Sequence, residues 1–130
     1  MKTLQTILLT GLIALALGCG YSSKAVTPPV AGTMPTIAQL SPNSATSGAA
    51  AFTLTVNGSA FSTKATVNWN GAAQTTTYVS ASQLTISVPA SDVTTAGTVP
   101  VTVTNPGTAG GIYGGGTQAE TSAAMDFTVQ

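Results

Sequence analysis

From Thr36 to the end of the chain, apolar and polar residues alternate one for one. Phe52, Leu54 and Val56 alternate with Thr53 and Thr55, and Leu84, Ile86 and Val88 with Thr85 and Ser87. Val67 and Trp69 flank Asn68. Val99, Val101 and Val103 alternate with Pro100, Thr102 and Thr104, and Met125, Phe127 and Val129 with Asp126 and Thr128. A period of two marks strands with one buried and one wet face. Helical spacing never recurs, and β-branched residues dominate. Turn formers separate the runs: Ser41-Pro42-Asn43, Asn57-Gly58, Asn70-Gly71, Ala96-Gly97 and Asn105-Pro106-Gly107. Asn70-Gly71 predicts a type I′ hairpin turn, because both residues tolerate positive φ. Pro100 falls inside a strand pattern, so its missing N–H is expected to face no partner. About seven short strands at this spacing predict an all-β sandwich. Its predicted core is Phe52, Leu54, Val56, Val67, Leu84, Ile86, Val101, Val103 and Phe127. Trp69 joins the core because it shares a face with Val67; the competing role is a sugar-stacking platform.

The first 35 residues break this pattern. Lys2 precedes an apolar run from Leu4 to Leu17, which is shorter than the roughly 20 residues a membrane span needs and has the length of a signal-peptide core. The run ends at Leu15-Ala16-Leu17-Gly18-Cys19. This resembles a bacterial lipobox, in which a cysteine after small residues receives a diacylglyceryl group, although Ala16 stands three places before the cysteine where Leu is usual. Ordinary cleavage after Ala14-Leu15-Ala16 is the alternative, and it would leave Cys19 as a spare thiol. The resemblance implies a lipoprotein signal peptide over 1–18, lipidation at Cys19, and acyl chains that contribute about 0.8 kcal/mol per buried methylene. Gly20, in place of Asp, implies the outer membrane or cell surface. Residues 19–35 carry no persistent period, and Pro28-Pro29 forbids regular structure there. They are expected to be a flexible tether reaching up to about 50 Å at roughly 3.3 Å per residue.

Composition narrows the function classes. Charged residues make up 5% of the chain and the formal net charge is zero, so the wet faces must be built from hydroxyls and amides. There is no Arg, and the lysines are Lys2, Lys24 and Lys64. Phosphate neutralisation needs clustered Lys and Arg, so no nucleic-acid surface is available. There is no His to act as general base or metal ligand. Cys19 is the only cysteine, so no disulfide within the domain is available, and stability must come from the apolar core.

Several stretches, in order, resemble the IPT/TIG family. Residues 35–48, PTIAQLSPNSATSG, look like the family's opening strand, its Ser-Pro and its small-residue turn. Residues 52–61, FTLTVNGSAF, resemble the next strand, closing on Gly-x-x-Phe. Residues 65–71, 82–89 and 97–103 follow in family order, and Asp126-Phe-Thr-Val129 matches the closing strand. The resemblance implies an immunoglobulin-like β-sandwich over 36–130. It names no ligand, because such domains serve as spacers, receptor parts, transcription-factor dimer modules and enzyme accessories. One departure stands out: the last two strands are joined by about 17 glycine-rich residues, where the family often crosses in a few.

No catalytic constellation is visible. Ser and Thr abound, but no His activates them and no Ser-x-x-Lys occurs. The acids Asp92, Glu120 and Asp126 are far apart in sequence. Neither metal ligands nor a cofactor motif is present, and Gly114-Gly115-Gly116 lacks the Lys-Ser/Thr of a phosphate loop. Asp92 is expected to accept from nearby backbone N–H groups in a turn. The glycine-rich loop, 107–122, is expected to be mobile. Tyr78 and Tyr113 are the candidate ligand contacts, Tyr113 because loops on rigid scaffolds often carry binding residues. Asn57-Gly-Ser59 is a formal glycosylation sequon of little weight in a bacterial lipoprotein. The expected function is that of a non-enzymatic cell-envelope lipoprotein. Its domain would act as a surface structural or protein-interaction module, meeting the membrane through the anchor and an envelope protein or glycan through the domain. A carbohydrate- or cell-wall-binding module and an accessory subunit of a surface hydrolase are the alternatives.

Overall fold

Alternating apolar and hydroxyl residues lay down two facing sheets in the computed structural model, which describes residues 27–130. The expected leader, Cys19 and the tether up to Val26 lie outside the described residues. The strands are β1 (Thr36–Ser41), β2 (Ser44–Ala45), β3 (Phe52–Ser59), β4 (Thr66–Trp69), β5 (Ala72–Ala73), β6 (Thr76–Ser80), β7 (Gln83–Val88), β8 (Gly97–Asn105), β9 (Glu120–Thr121) and β10 (Met125–Val129). Seven of these have four residues or more, in line with the pattern reading; the other three are two-residue additions to the second sheet. A 3-10 turn, Ala90–Val93, joins β7 to β8.

The first sheet has the order β1-β3-β7-β6 and the second β2-β10-β8-β4-β5, with β9 also on β8. Among the described strands, β2 and β10 alone pair in parallel. Cross-strand pairs set the buried face: Leu54 faces Ile86, Val56 faces both Leu84 and Leu40, and Val67 faces Val103. Phe127 sits at the centre. It stacks on Phe52 at 5.7 Å and meets Trp69 at 5.0 Å, tying the two sheets together. Eight of the nine predicted core residues are buried, and so is Trp69. Phe52 is the exception. As the first residue of β3 it is half-buried and packs against the core from the edge.

Turn and strand chemistry meet at three places. Asn70 and Gly71 both have positive φ and form the expected hairpin turn between β4 and β5. Asn70 N–H donates to the Pro100 carbonyl at 3.0 Å. Pro100 therefore turns its missing N–H towards the end of β4, where the ladder gives way to the turn, and not towards β10. Asn57-Gly58, read from sequence as a turn, lies instead inside β3. Gly58 sits opposite Ile37 beside a bulge in β1, and a Cβ there would run into the Thr36 carbonyl oxygen and the Phe61 ring. Glycine serves close approach of two strands at this position.

The sandwich has two distinct ends. At one, β1 begins and β3 and β8 end, with Thr36 opposite Ser59. At the other, Gly48 N–H donates to the Val93 carbonyl, and the last residue, Gln130, accepts from Ser47 N–H. The incoming segment thus meets the domain at one pole, and the end of β10 lies at the other.

Candidate functional site

The entry pole carries the glycine-rich connection between β8 and β9, and it is an ordered finger. Thr108 and Thr117 exchange backbone hydrogen bonds at 3.0 and 3.1 Å, and their hydroxyls lie 3.1 Å apart. Gly111 and Gly114 close the tip through Gly114 N–H to the Gly111 carbonyl, 2.9 Å. Ile112 and Tyr113 form the tip itself.

A third backbone lines the finger. Residues 27–30 run parallel to its returning arm, Thr27 opposite Gly114 and Val30 opposite Thr117. Gly115 N–H donates to Thr27 O at 2.8 Å, Val30 N–H to Gly116 O at 3.0 Å, and Gln118 N–H to Val30 O at 2.9 Å. These bonds correct two expectations. The last part of the segment read as a tether is docked, and the loop read as mobile is a hydrogen-bonded ribbon. The physical reason is the same glycine content that had favoured mobility. Gly116 has φ 93°, and a Cβ there would strike the Thr108 carbonyl oxygen; side chains at Gly32, Gly107 and Gly110 would meet neighbouring carbonyls in the same way. Glycine lets the three backbones close on one another.

Asn105 holds the base of the finger. Its side chain is buried, accepts from Ser62 N–H at 2.9 Å, and donates to the carbonyls of Thr33 and Ala60 at 2.8 Å each. It joins the incoming segment to the β3–β4 connection, where Ala60 is held at a positive φ. From sequence, Asn105-Pro106-Gly107 reads as a turn, and nothing in that tripeptide announces a buried amide. Ser122 was equally hidden. Its hydroxyl accepts from Val103 N–H at 2.9 Å, standing in for a carbonyl where the chain leaves β9 for β10. On the outer face of the second sheet, Asn68 donates to the hydroxyls of Thr102 and Thr104. Amides and hydroxyls form the wet face of this low-charge chain.

The candidate contacts fall on different elements, one in a loop and one on a strand. Tyr113 is 58% exposed at the finger tip, and Tyr78 is 37% exposed on β6, at the edge of the first sheet opposite Leu84. Cys19 lies outside the described residues. Asp92 accepts from the Ser91 hydroxyl at 3.4 Å, not from the backbone N–H groups expected of it. It lines a hollow of about 270 Å³ with Trp69, Asn70, Ala72, Gln74 and Val99. Trp69 is 4% exposed, so little of its ring reaches that hollow. Glu120 is on β9 and Asp126 on β10. Among the described residues, no group of three or more His, Cys, Asp or Glu gathers to hold a metal.

The model of the IPT/TIG domain family matches residues 35–127 of this chain. No curated protein matches it. A solved structure, that of an auxiliary nutrient binding protein from Bacteroides ovatus ATCC 8483, superposes with a TM-score of 0.44 at 19% identity. The match covers 80% of this chain and 22% of that one, so the chain spans less than a quarter of that protein's length.

Proposed function

The chain belongs to the IPT/TIG family, and from that premise we propose that it is a non-enzymatic, lipid-anchored module of the bacterial cell envelope. In this reading Cys19 carries the lipid, and the sandwich is a structural or protein-interaction unit displayed at the surface, most naturally of the outer membrane. The observation that carries the proposal is the clamped entry. Backbone hydrogen bonds fasten residues 27–30 to the finger, so the chain is gripped where it enters the domain. The fold then runs from that pole to Gln130 at the other. Such threading suits a unit that holds one end towards an anchor and presents the other. Among the described residues no helix is long and apolar enough to cross a membrane; the attachment proposed is the lipid on Cys19. Labelled palmitate should enter the wild-type protein and be absent from Cys19→Ser, and the label should follow the membrane fraction. Equal labelling of both proteins would overturn the proposal.

A second reading, recognition of a neutral hydroxylated ligand such as an envelope glycan, is favoured by the hollow beside Asp92. Asn70, Gln74 and Asp92 line it together with Trp69 and Val99, a lining that combines apolar surface with a few polar groups. Gln74→Ala and Asp92→Ala should abolish binding on a glycan array if this reading holds. Unchanged or absent binding across wild type and variants would dismiss it.

A further inference from the structure

The finger tip and the point where the chain joins the fold coincide. Residues 27–30 run parallel to residues 114–117, and the arm they follow leads away from the tip. Traced backwards, from Val30 to Thr27, the chain therefore heads towards the tip, and Thr27 lies against Tyr113, its N–H 3.4 Å from the Tyr113 carbonyl oxygen. Cys19 is eight residues before Thr27. Even a fully extended connection, at about 3.3–3.6 Å per residue, keeps Thr27 within about 29 Å of an acyl group on Cys19.

What the tip presents at that place is apolar. Ile112 is 91% exposed, more than any other large hydrophobic residue described, with Tyr113 beside it. An isoleucine held out in water at the end of an ordered ribbon contributes nothing to the fold. Beside a tyrosine it has the chemistry of a bilayer interface, where aliphatic groups enter the acyl boundary and amphipathic rings settle at headgroup level. No charged residue occurs between Asp92 and Glu120, so no charge on the finger need be dehydrated as the tip approaches. Ile112 and Tyr113 alone would bind a membrane weakly. A covalent anchor within a short tether makes the encounter intramolecular, at an effective concentration on the order of millimolar.

We propose that the Ile112–Tyr113 tip docks into the interfacial layer of the bilayer that holds the chain's own acyl anchor, so that the domain stands on its finger with the Gln130 pole outward. This rests on the anchor reading of Cys19. The test uses the full chain purified from membranes and placed in vesicles of phosphatidylethanolamine and phosphatidylglycerol, with acylation of Cys19 read by mass spectrometry. In Ile112→Trp, the introduced indole should shift its emission to the blue and lose intensity when brominated lipids replace the ordinary ones. Thr95→Trp, at the opposite pole, should do neither. Because an indole itself favours the interface, the unsubstituted protein supplies a second readout. Its amides over 111–114 should exchange more slowly on vesicles than those of Cys19→Ser, with residues 95–97 unchanged. Acylated protein whose tip is neither quenched nor protected, or whose two poles respond alike, would overturn the docking and leave the anchor standing. Absence of the acyl mass on Cys19 would overturn the anchor and the docking together.

Discussion

In the sandwich, Leu54, Val56, Leu84 and Ile86 are buried and hydroxyl residues take the water. In the finger, Val30, Ile112 and Tyr113 all lie exposed, and order comes from backbone hydrogen bonds between strands that glycine allows to close. The first region is held by the removal of apolar surface from water, at roughly 25 cal/mol per Å². The second has almost none of that term, and a backbone hydrogen bond exposed to solvent contributes only about 1 kcal/mol net. The two regions are thus both hydrogen-bonded but unequally stable. The difference leaves Ile112 standing in water at the finger's end, where the core's side chains never are.

The largest effect should come from the sandwich. Leu54→Ala removes a fully buried side chain paired with Ile86, and should cost about 2–5 kcal/mol in urea unfolding. A cost below about 1 kcal/mol would mean that the core is not close-packed there. Next comes Asn105→Ala at the junction of the two regions. It strips Ser62 N–H and the carbonyls of Thr33 and Ala60 of a partner, and should cost on the order of 1–3 kcal/mol. If Asn105→Ala matched wild type, water would be replacing the amide, and the finger's base would be looser than the bonds imply.

Gly116→Ala is aimed at the finger alone. Its φ of 93° and the Thr108 carbonyl leave a Cβ no room, so a local cost of about 1–2 kcal/mol is expected. Native-state amide exchange should show faster exchange at Gly115 and Gln118, while β3 and β7 keep their protection. Exchange that rose equally in β3 would show that the two regions unfold as one. The smallest effect belongs to Thr53→Ala, on the exposed face of β3, which should stay within about 0.5 kcal/mol of wild type. A larger loss would shift the strand register by one residue.

The sandwich was legible in the sequence because its stabilising term leaves a period-two trace in residue type. The strands bearing Leu54, Val67, Leu84 and Val101 could each be read from it, and so could the Asn70-Gly71 turn. The finger left no such trace. Glycine residues that permit close approach look the same in sequence as glycine residues that give freedom, and the distinction appears only when Thr108 and residues 27–30 are seen beside Gly116. Gly58 misled for the same reason, as a strand residue with the composition of a turn. Asn105 and Ser122 act through partners far along the chain, such as Thr33 and Val103, and no local pattern encodes those distances. Of the candidate contacts, the exposure of Tyr113 followed from its place in a loop. That it stands where the chain enters the fold did not.

The finger is ordered yet separable from the sandwich. The most direct measurement replaces residues 109–116 with Asn-Gly, a two-residue turn suited to the bridge between Thr108 and Thr117, and compares urea unfolding with wild type. Shortening the loop from eight residues to two favours folding by about 1 kcal/mol in closure entropy, while the three bonds to Thr27 and Val30 that go with it cost up to about 3 kcal/mol at about 1 kcal/mol each. Stability should therefore fall by no more than about 2 kcal/mol, with an unchanged dependence on urea concentration. A loss of more than about 3 kcal/mol, beyond what those exposed bonds contribute, would contradict separability and make the finger part of the core.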